Sequence, residues 1–165
     1  MENTENTNFG LAHEDDIDEI FKIFQVKEEW LKEQKIDQWR GYTQRYGKEF
    51  FLNHIANKHM YILKEGDKIV ACGVLLSGDN LWGELPSDTR VLKNLASIKN
   101  GAGSTLMEHM FKKCKSEGIE KIVIDCLATN LNLREYYKSK GFVETGISDK
   151  LYGSGHTPCL MSRDL

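Results

Sequence analysis

The segment Asn94-Leu95-Ala96-Ser97-Ile98-Lys99-Asn100-Gly101-Ala102-Gly103-Ser104-Thr105-Leu106-Met107 decides how this chain folds. Val91 to Ser97 reads as a strand, with Val91, Lys93 and Leu95 expected on one face and Leu92, Asn94 and Ala96 on the other. Two glycines then break the pattern. Beyond them Leu106, Met107, Met110, Phe111 and Cys114 recur at helical spacing, with Glu108, Lys112, Lys113 and Lys115 opposite, which predicts an amphipathic helix ended by Gly118. Ile122 to Leu127 is an almost unbroken apolar run, as expected of a strand covered on both faces. Asn132 to Ser139 predicts a short helix stopped by Gly141, and the unit as a whole reads strand, glycine turn, helix, strand, helix.

A glycine turn between a strand and a helix start presents unpaired amides and the positive end of a helix dipole, a combination suited to an anion. Gly101-Ala102-Gly103 is not a nucleotide-binding P-loop, because no Gly-Lys-Ser/Thr follows. A dinucleotide fingerprint would need a third glycine where Leu106 stands.

Upstream, Phe9 to Ala12 reads as a first short strand, and Glu14, Asp15 and Asp16 introduce a helix carrying Ile17, Ile20, Phe21 and Phe24. A second helical piece is expected over Glu28 to Gln34, a turn at Ile36-Asp37-Gln38-Trp39, and a further helix around Phe50 to Ile55 beside His54. Trp30 and Trp39 are candidate substrate-pocket residues, although tryptophans at such spacing also serve a core. Met60 to Leu63 and Ile69 to Leu76 flank a charged, glycine-containing turn and predict a β-hairpin. Leu81 to Pro86 is ambiguous. Downstream, Phe142 to Thr145 and Thr157 to Arg163 predict two more strands, the last with Pro158 at its start or edge.

With 165 residues and no Gly/Ser/Pro-rich break, the chain reads as one domain over 1–165. A net charge of −3 argues against an extended phosphate-binding surface, so nucleic acid is not an expected partner, and no apolar run approaches membrane-spanning length. The acidic, polar start Met1 to Thr7 is unlike a secretion or transit signal, which places the expected location in the cytoplasm. Cys72, Cys114, Cys126 and Cys159 form no CxxC pair and are expected to be idle thiols, without a metal.

Asn130, Leu133, Tyr136, Tyr137, Gly141 and Phe142 stand in the spacing N-x-x-L-x-x-Y-Y-x-x-x-G-F. Together with Leu95-Ala96-Ser97 and the upstream GxG, this resembles the GCN5-related N-acetyltransferase (GNAT) family over roughly Met60 to Thr145. Trp30-Leu31, Ile36 to Trp39 and Asp125-Cys126 also look like a bacterial subgroup of small members. The resemblance implies a mixed α/β fold with a mostly antiparallel twisted sheet of six to seven strands. It also implies a splay between strands four and five, Val91–Ser97 and Ile122–Leu127, and about four flanking helices.

It further implies acetyl-coenzyme A as co-substrate. Backbone of Leu95, Ala96 and Ser97 would meet the pantetheine, and amides of Asn100, Gly101, Ala102, Gly103, Ser104 and Thr105 the pyrophosphate. Asn130 would lie on the pantetheine side and Tyr137 near the sulfur. The implied reaction is transfer of an acetyl group to a primary amine of a small molecule or peptide, by direct attack, in a monomer or homodimer. A catalytically inactive acyl-coenzyme A-binding domain is the alternative.

An alkyl ammonium near pKa 10 must lose a proton before it can attack, an oxyanion must be stabilised, and the departing thiolate needs a proton. Tyr137 is the expected general acid, a phenol near pKa 10 expected to give its proton readily to a thiolate whose conjugate acid lies near 8.5. Glu84 is the candidate base, with Asp88 and His54 behind it, because the strand carries Val91 and Lys93 where relatives often place one. Ile98 occupies a position where the family commonly has glutamine or arginine, and the loop Ser97 to Gly101 is shorter than usual. The acceptor side is expected from the region Glu28 to Arg45 and the segment after Gly146.

Overall fold

The computed structural model describes residues 6–165. The acidic start read above lies, in its first five residues, outside them. In chain order the elements are β1 (Thr7–Leu11), a 3₁₀ turn (Glu14–Asp16), α1 (Ile17–Glu33), α2 (Tyr42–Arg45), α3 (Lys48–Ala56), β2 (Met60–Glu65), β3 (Lys68–Leu76), β4 (Gly78–Asp79) and β5 (Gly83–Glu84). They continue with β6 (Thr89–Ser97), α4 (Ala102–Ser116), β7 (Lys121–Leu127), α5 (Leu131–Ser139), β8 (Val143–Ile147) and β9 (Pro158–Asp164). Seven strands hydrogen-bond in the order β1-β2-β3-β6-β7-β9-β8, and β4 and β5 form a separate small hairpin. The sheet is mostly antiparallel, and β6 and β7 run parallel.

Contacts cluster in two compact units, which divide β6 and α4 between them. One unit runs through Val74 and takes up Asn94–His109; the other comprises Leu75–Lys93 and Met110–Leu165.

In the first unit, α1 begins at an acidic turn, where the Asp16 carboxylate accepts from the His13 amide at 2.8 Å, and ends before Lys35, a residue in the left-handed region at φ 57°. The two helical pieces expected over 17–34 are one helix, since no glycine or proline between Val26 and Glu28 breaks the backbone. Its apolar stripe Ile20, Ile23, Phe24 and Leu31 is buried. Glu19 accepts from the Ile69 amide at 2.6 Å and Glu28 from the Thr43 hydroxyl at 2.5 Å, which tie α1 to β3 and α2. The β2–β3 hairpin pairs Glu65 with Lys68 across Gly66, whose φ of 57° suits a glycine.

In the second unit, β7 pairs with β9 along its whole length, from Lys121 opposite Asp164 to Leu127 opposite Pro158. Ile122, Val123 and Ile124 are buried as their continuous apolar run predicts. The ambiguous stretch around Leu81 to Pro86 holds the β4–β5 hairpin, in which the Asp79 carboxylate accepts from the Leu81 and Trp82 amides at 3.0 and 2.7 Å. Gly78 is obligatory there, because a Cβ at that position would meet the Gly83 carbonyl oxygen at 2.2 Å. Helix α5 is joined to β8 by a two-pronged ion pair, Arg134 Nε and Nη2 to the Glu144 oxygens at 2.8 and 3.0 Å.

Candidate functional site

The strand that carries the expected cofactor backbone is irregular where it matters. Asn94 lies within β6 at φ 51°, a left-handed conformation that asparagine tolerates better than most residues and that marks a bulge. The strict alternation expected from Val91 to Ala96 therefore fails at Asn94. Lys93, Asn94 and Leu95 are all half-buried in succession, and Ala96 is buried again. The Asn94 side-chain amide donates to the Tyr42 hydroxyl, so the bulge is held from α2. Tyr42 is itself buried, which raises its phenol above the usual range even though the Asn94 bond works the other way. After Ser97 the chain returns to β3 through the Ile98 amide, which donates to the Val70 carbonyl at 3.0 Å.

In the turn, Gly101 is at φ 83°, where a side chain would be strained. The Ala102 amide is used by the Lys99 carbonyl at 3.1 Å and the Thr105 amide by Gly101 at 3.1 Å. Among the described residues, the amides of Gly103 and Ser104 have no backbone acceptor, which leaves the first turn of α4 with unpaired donors for an anion. Lys99, beside them, has its ammonium 2.6 Å from the Glu65 carboxylate, and Ile98 is exposed where the resemblance expects a polar side chain.

Trp39 is half-buried and stacks on Tyr42, ring centroids 4.7 Å apart, within an aromatic cluster that continues through Phe24 and Phe51. Trp30 is exposed on α1, with the Lys27 ammonium 4.4 Å over its ring. No ring contact joins the two tryptophans among the described residues. His54 is in the same cluster, edge-on to Phe50, and burial followed by the neighbouring His59 lowers its pKa.

The second unit carries the other half of the expected residues. The register of β6 with β7 covers Thr89–Val91 against Lys121–Val123 and stops there, although Leu92–Lys93 and Ile124–Asp125 continue as strand. Asn130 caps α5, its side-chain oxygen accepting from the Leu133 amide at 3.1 Å. Tyr137 is buried, packed edge-on against Phe142 at 5.8 Å, while Tyr136 lies at the surface, 36% exposed. Burial, then the neighbouring Cys126, Tyr136 and Asp125, push the Tyr137 phenol well above its ordinary range.

The expectation of ready proton transfer from Tyr137 therefore has the wrong sign. Even the ordinary values make transfer to a free thiolate uphill by about 1.5 pH units, roughly 2 kcal/mol, and burial increases that cost. A phenol so placed serves as a hydrogen-bond donor to developing negative charge, and completes the transfer only as the C–S bond breaks.

Glu84 is exposed on β5, and no hydrogen bond to its carboxylate occurs among the described residues. The Asp88 carboxylate accepts from the Thr89 hydroxyl at 3.0 Å, while its carbonyl accepts from the Glu120 and Lys121 amides.

The sequence reading passed over a third constellation. Asp125, its side chain only 5% exposed, accepts from Trp82 Nε1 at 2.9 Å, Lys93 Nζ at 2.8 Å and the Tyr152 hydroxyl at 2.7 Å. Lys93 also reaches Asp79 at 2.7 Å. Burial pulls the Lys93 ammonium down, but Asp125 and Asp79 outweigh it and the net direction is up. The one available signal was a carboxylate set into the apolar run Ile122 to Leu127. All four cysteines are buried free thiols, Cys159 included, and no cluster of three or more metal-ligating side chains occurs among the described residues.

A family model described as the acetyltransferase (GNAT) family matches residues 24–142, so this chain belongs to that family of acetyltransferase enzymes. Solved structures share the fold along nearly the whole chain. Ard1 from Thermoplasma volcanium is similar at a TM-score of 0.73 and 15% identity, covering 96% of this chain and 97% of that one. The ribosomal-protein-S18-alanine N-acetyltransferase from Escherichia coli gives 0.68 and 16%, covering 96% and 93%. The PaiA N-acetyltransferase from Thermoplasma acidophilum, in complex with coenzyme A, gives 0.68 and 16%, covering 97% and 99%. No curated protein sequence matches this chain.

Proposed function

We propose that this chain is an acetyl-coenzyme A-dependent N-acetyltransferase, its 165 residues acting as one catalytic domain, that acetylates a primary amine of a small molecule or peptide by direct attack. The observation that carries the reading is the end of β6. Its ladder with β7 stops at Val91, the strand runs on through a bulge at Asn94, and it leads into a helix whose Gly103 and Ser104 amides are unpaired.

In this reading the backbone of Leu95, Ala96 and Ser97 takes the pantetheine arm like an added strand, and within the turn from Asn100 to Thr105 the unpaired amides of Gly103 and Ser104 hold the pyrophosphate. An amide at Leu95 or Ala96 donates to the carbonyl oxygen as it becomes an oxyanion. Glu84 takes the proton of the ammonium and releases it to water, the amine nitrogen forms the new bond to the carbonyl carbon, and the C–S bond breaks with its electron pair going to sulfur while the second N–H proton leaves through water and restores the one that Tyr137 gives up. Tyr137 donates to the departing sulfur. The Asn130 side-chain oxygen is engaged by its cap, so its part is to fix the start of the helix that carries Tyr137. On the acceptor side we place Trp39 and Tyr42 as an aromatic wall, and Trp30 as an outer contact. The PaiA and Neisseria gonorrhoeae N-acetylglutamate synthase structures, both in complex with coenzyme A, support the choice of co-substrate.

A domain that binds acetyl-coenzyme A without turnover is the second reading, favoured by the commitment of Asp79 and Asp125 to other partners. Calorimetry with acetyl-coenzyme A, together with thiol release across a panel of primary amines, separates the two. The transferase reading expects heat and amine-dependent thiol release. Heat with no release for any amine supports the second reading, and no heat removes both.

A further inference from the structure

The segment 148–157, between β8 and β9, is folded on itself and attached to the rest of its unit at few points. The Tyr152 amide donates to the His156 carbonyl at 2.9 Å and the Gly155 amide to the Tyr152 carbonyl at 2.8 Å, with Gly155 at φ 86°. Its Lys150 ammonium lies 3.4 Å from the Asn80 carbonyl of the β4–β5 turn. Its Thr157 carbonyl accepts from the Ala128 amide at 2.9 Å, and its Tyr152 hydroxyl donates to Asp125, whose carboxylate also holds Trp82 of the β4–β5 turn. Asp125 is thus shared by three segments: 148–157 through Tyr152, the hairpin through Trp82, and β6 through Lys93.

We propose that Asp125 and Tyr152 are positioning residues for the acceptor: the Tyr152–Asp125 bond fastens segment 148–157 beside the β4–β5 turn as one wall, and this wall sets the affinity for the amine. The inference rests on the transferase reading above. Lys93 and Asp125 each lie two residues beyond the Val91–Val123 pair at which the β6–β7 ladder ends, which puts the wall where those two strands stop pairing. Three hydrogen bonds to one nearly buried carboxylate make the fastening strong.

The test uses the full chain with acetyl-coenzyme A and a panel of putrescine, tyramine, glycine amide and an N-terminally free tripeptide. Tyr152→Phe keeps the ring and removes one bond to a charged acceptor. Hydrogen exchange of amides 149–156 is expected to rise roughly 10-fold, with β7 and β9 unchanged. The KM of the best amine is expected to rise about 10-fold, with the acetyl-coenzyme A Kd and kcat each within about threefold. Asp125→Asn keeps a carbonyl for Trp82 and Lys93, and an amide that donates to the Tyr152 oxygen, so exchange is expected to return close to wild type.

Unchanged exchange in Tyr152→Phe overturns the fastening. Increased exchange with an unchanged amine KM, or with equal losses in amine KM and acetyl-coenzyme A affinity, overturns the role in acceptor binding. A wild-type protein that binds acetyl-coenzyme A and acetylates no amine overturns the transferase reading and the acceptor role with it, while the exchange arm still decides the fastening.

Discussion

Tyr137→Phe removes one oxygen from a residue that is 8% exposed and leaves its ring edge-on to Phe142. Because the ring stays, stability should fall by no more than about 1 kcal/mol. The effect belongs to the reaction. A hydrogen bond to a charged partner is worth about 1.5–3 kcal/mol, so loss of the donor to the departing sulfur should lower kcat by roughly 10- to 150-fold. The structure also fixes the pH behaviour. The folded-state phenol lies above its ordinary value, so it keeps its proton throughout the usual assay range, and no alkaline limb below about pH 10 should come from Tyr137. Steady-state thiol release from acetyl-coenzyme A at saturating amine, from pH 6 to 10, measures both. The acid role is refuted if kcat of the variant equals that of wild type, or if the loss lies wholly in the Kd of acetyl-coenzyme A.

Further outcomes follow from the same geometry. Glu84→Gln should lower kcat/KM for the amine roughly 100-fold, read by thiol release at pH 8; an unchanged value assigns the ammonium proton to water. Gly103→Val should weaken acetyl-coenzyme A binding by calorimetry, since a branched side chain keeps the backbone from approaching a phosphate. Asn130→Ala should cost about 1 kcal/mol, a fall of roughly 2–4 °C in Tm, and Asn130→Ser should restore it. Burial pushes Cys72 and Cys126 to about 12 and Cys114 to about 11. These folded values are raised above an unfolded value near 8.5, so their contribution is fully present below that pH and is lost as pH rises toward the folded values. Above about pH 9.5 the three thiols together should lower unfolding free energy by about 4 kcal/mol per pH unit, with buried phenols adding above 10, as read by urea titration at each pH.

Period and punctuation carried most of the fold. The seven strands of the main sheet were legible as alternating or continuous apolar runs bounded by Gly66, Gly101, Gly118 and Gly141, each of which has positive φ. The long α1 looked like two pieces because its amphipathic stripe is interrupted by Lys27 and Glu28, and helical backbone does not stop where burial does. The short β4–β5 hairpin carries almost no pattern, being held by Asp79 and by the absence of a side chain at Gly78. The bulge at Asn94 was hidden because the partner of its side chain, Tyr42, lies 52 residues away in the sequence. The Asp125 cluster draws on Asp79, Trp82, Lys93 and Tyr152, spread over three segments, and only the odd carboxylate in an apolar strand hinted at it.

The most direct measurement is an amide-resolved NMR titration with acetyl-coenzyme A. Saturable shifts are expected at Leu95 to Ser97 and at Gly101 to Thr105, the largest at Gly103 and Ser104, while amides of β1 and β9 stay in place. Spectra in which those amides do not move at saturating nucleotide, or in which the shifts gather elsewhere on the chain, contradict it.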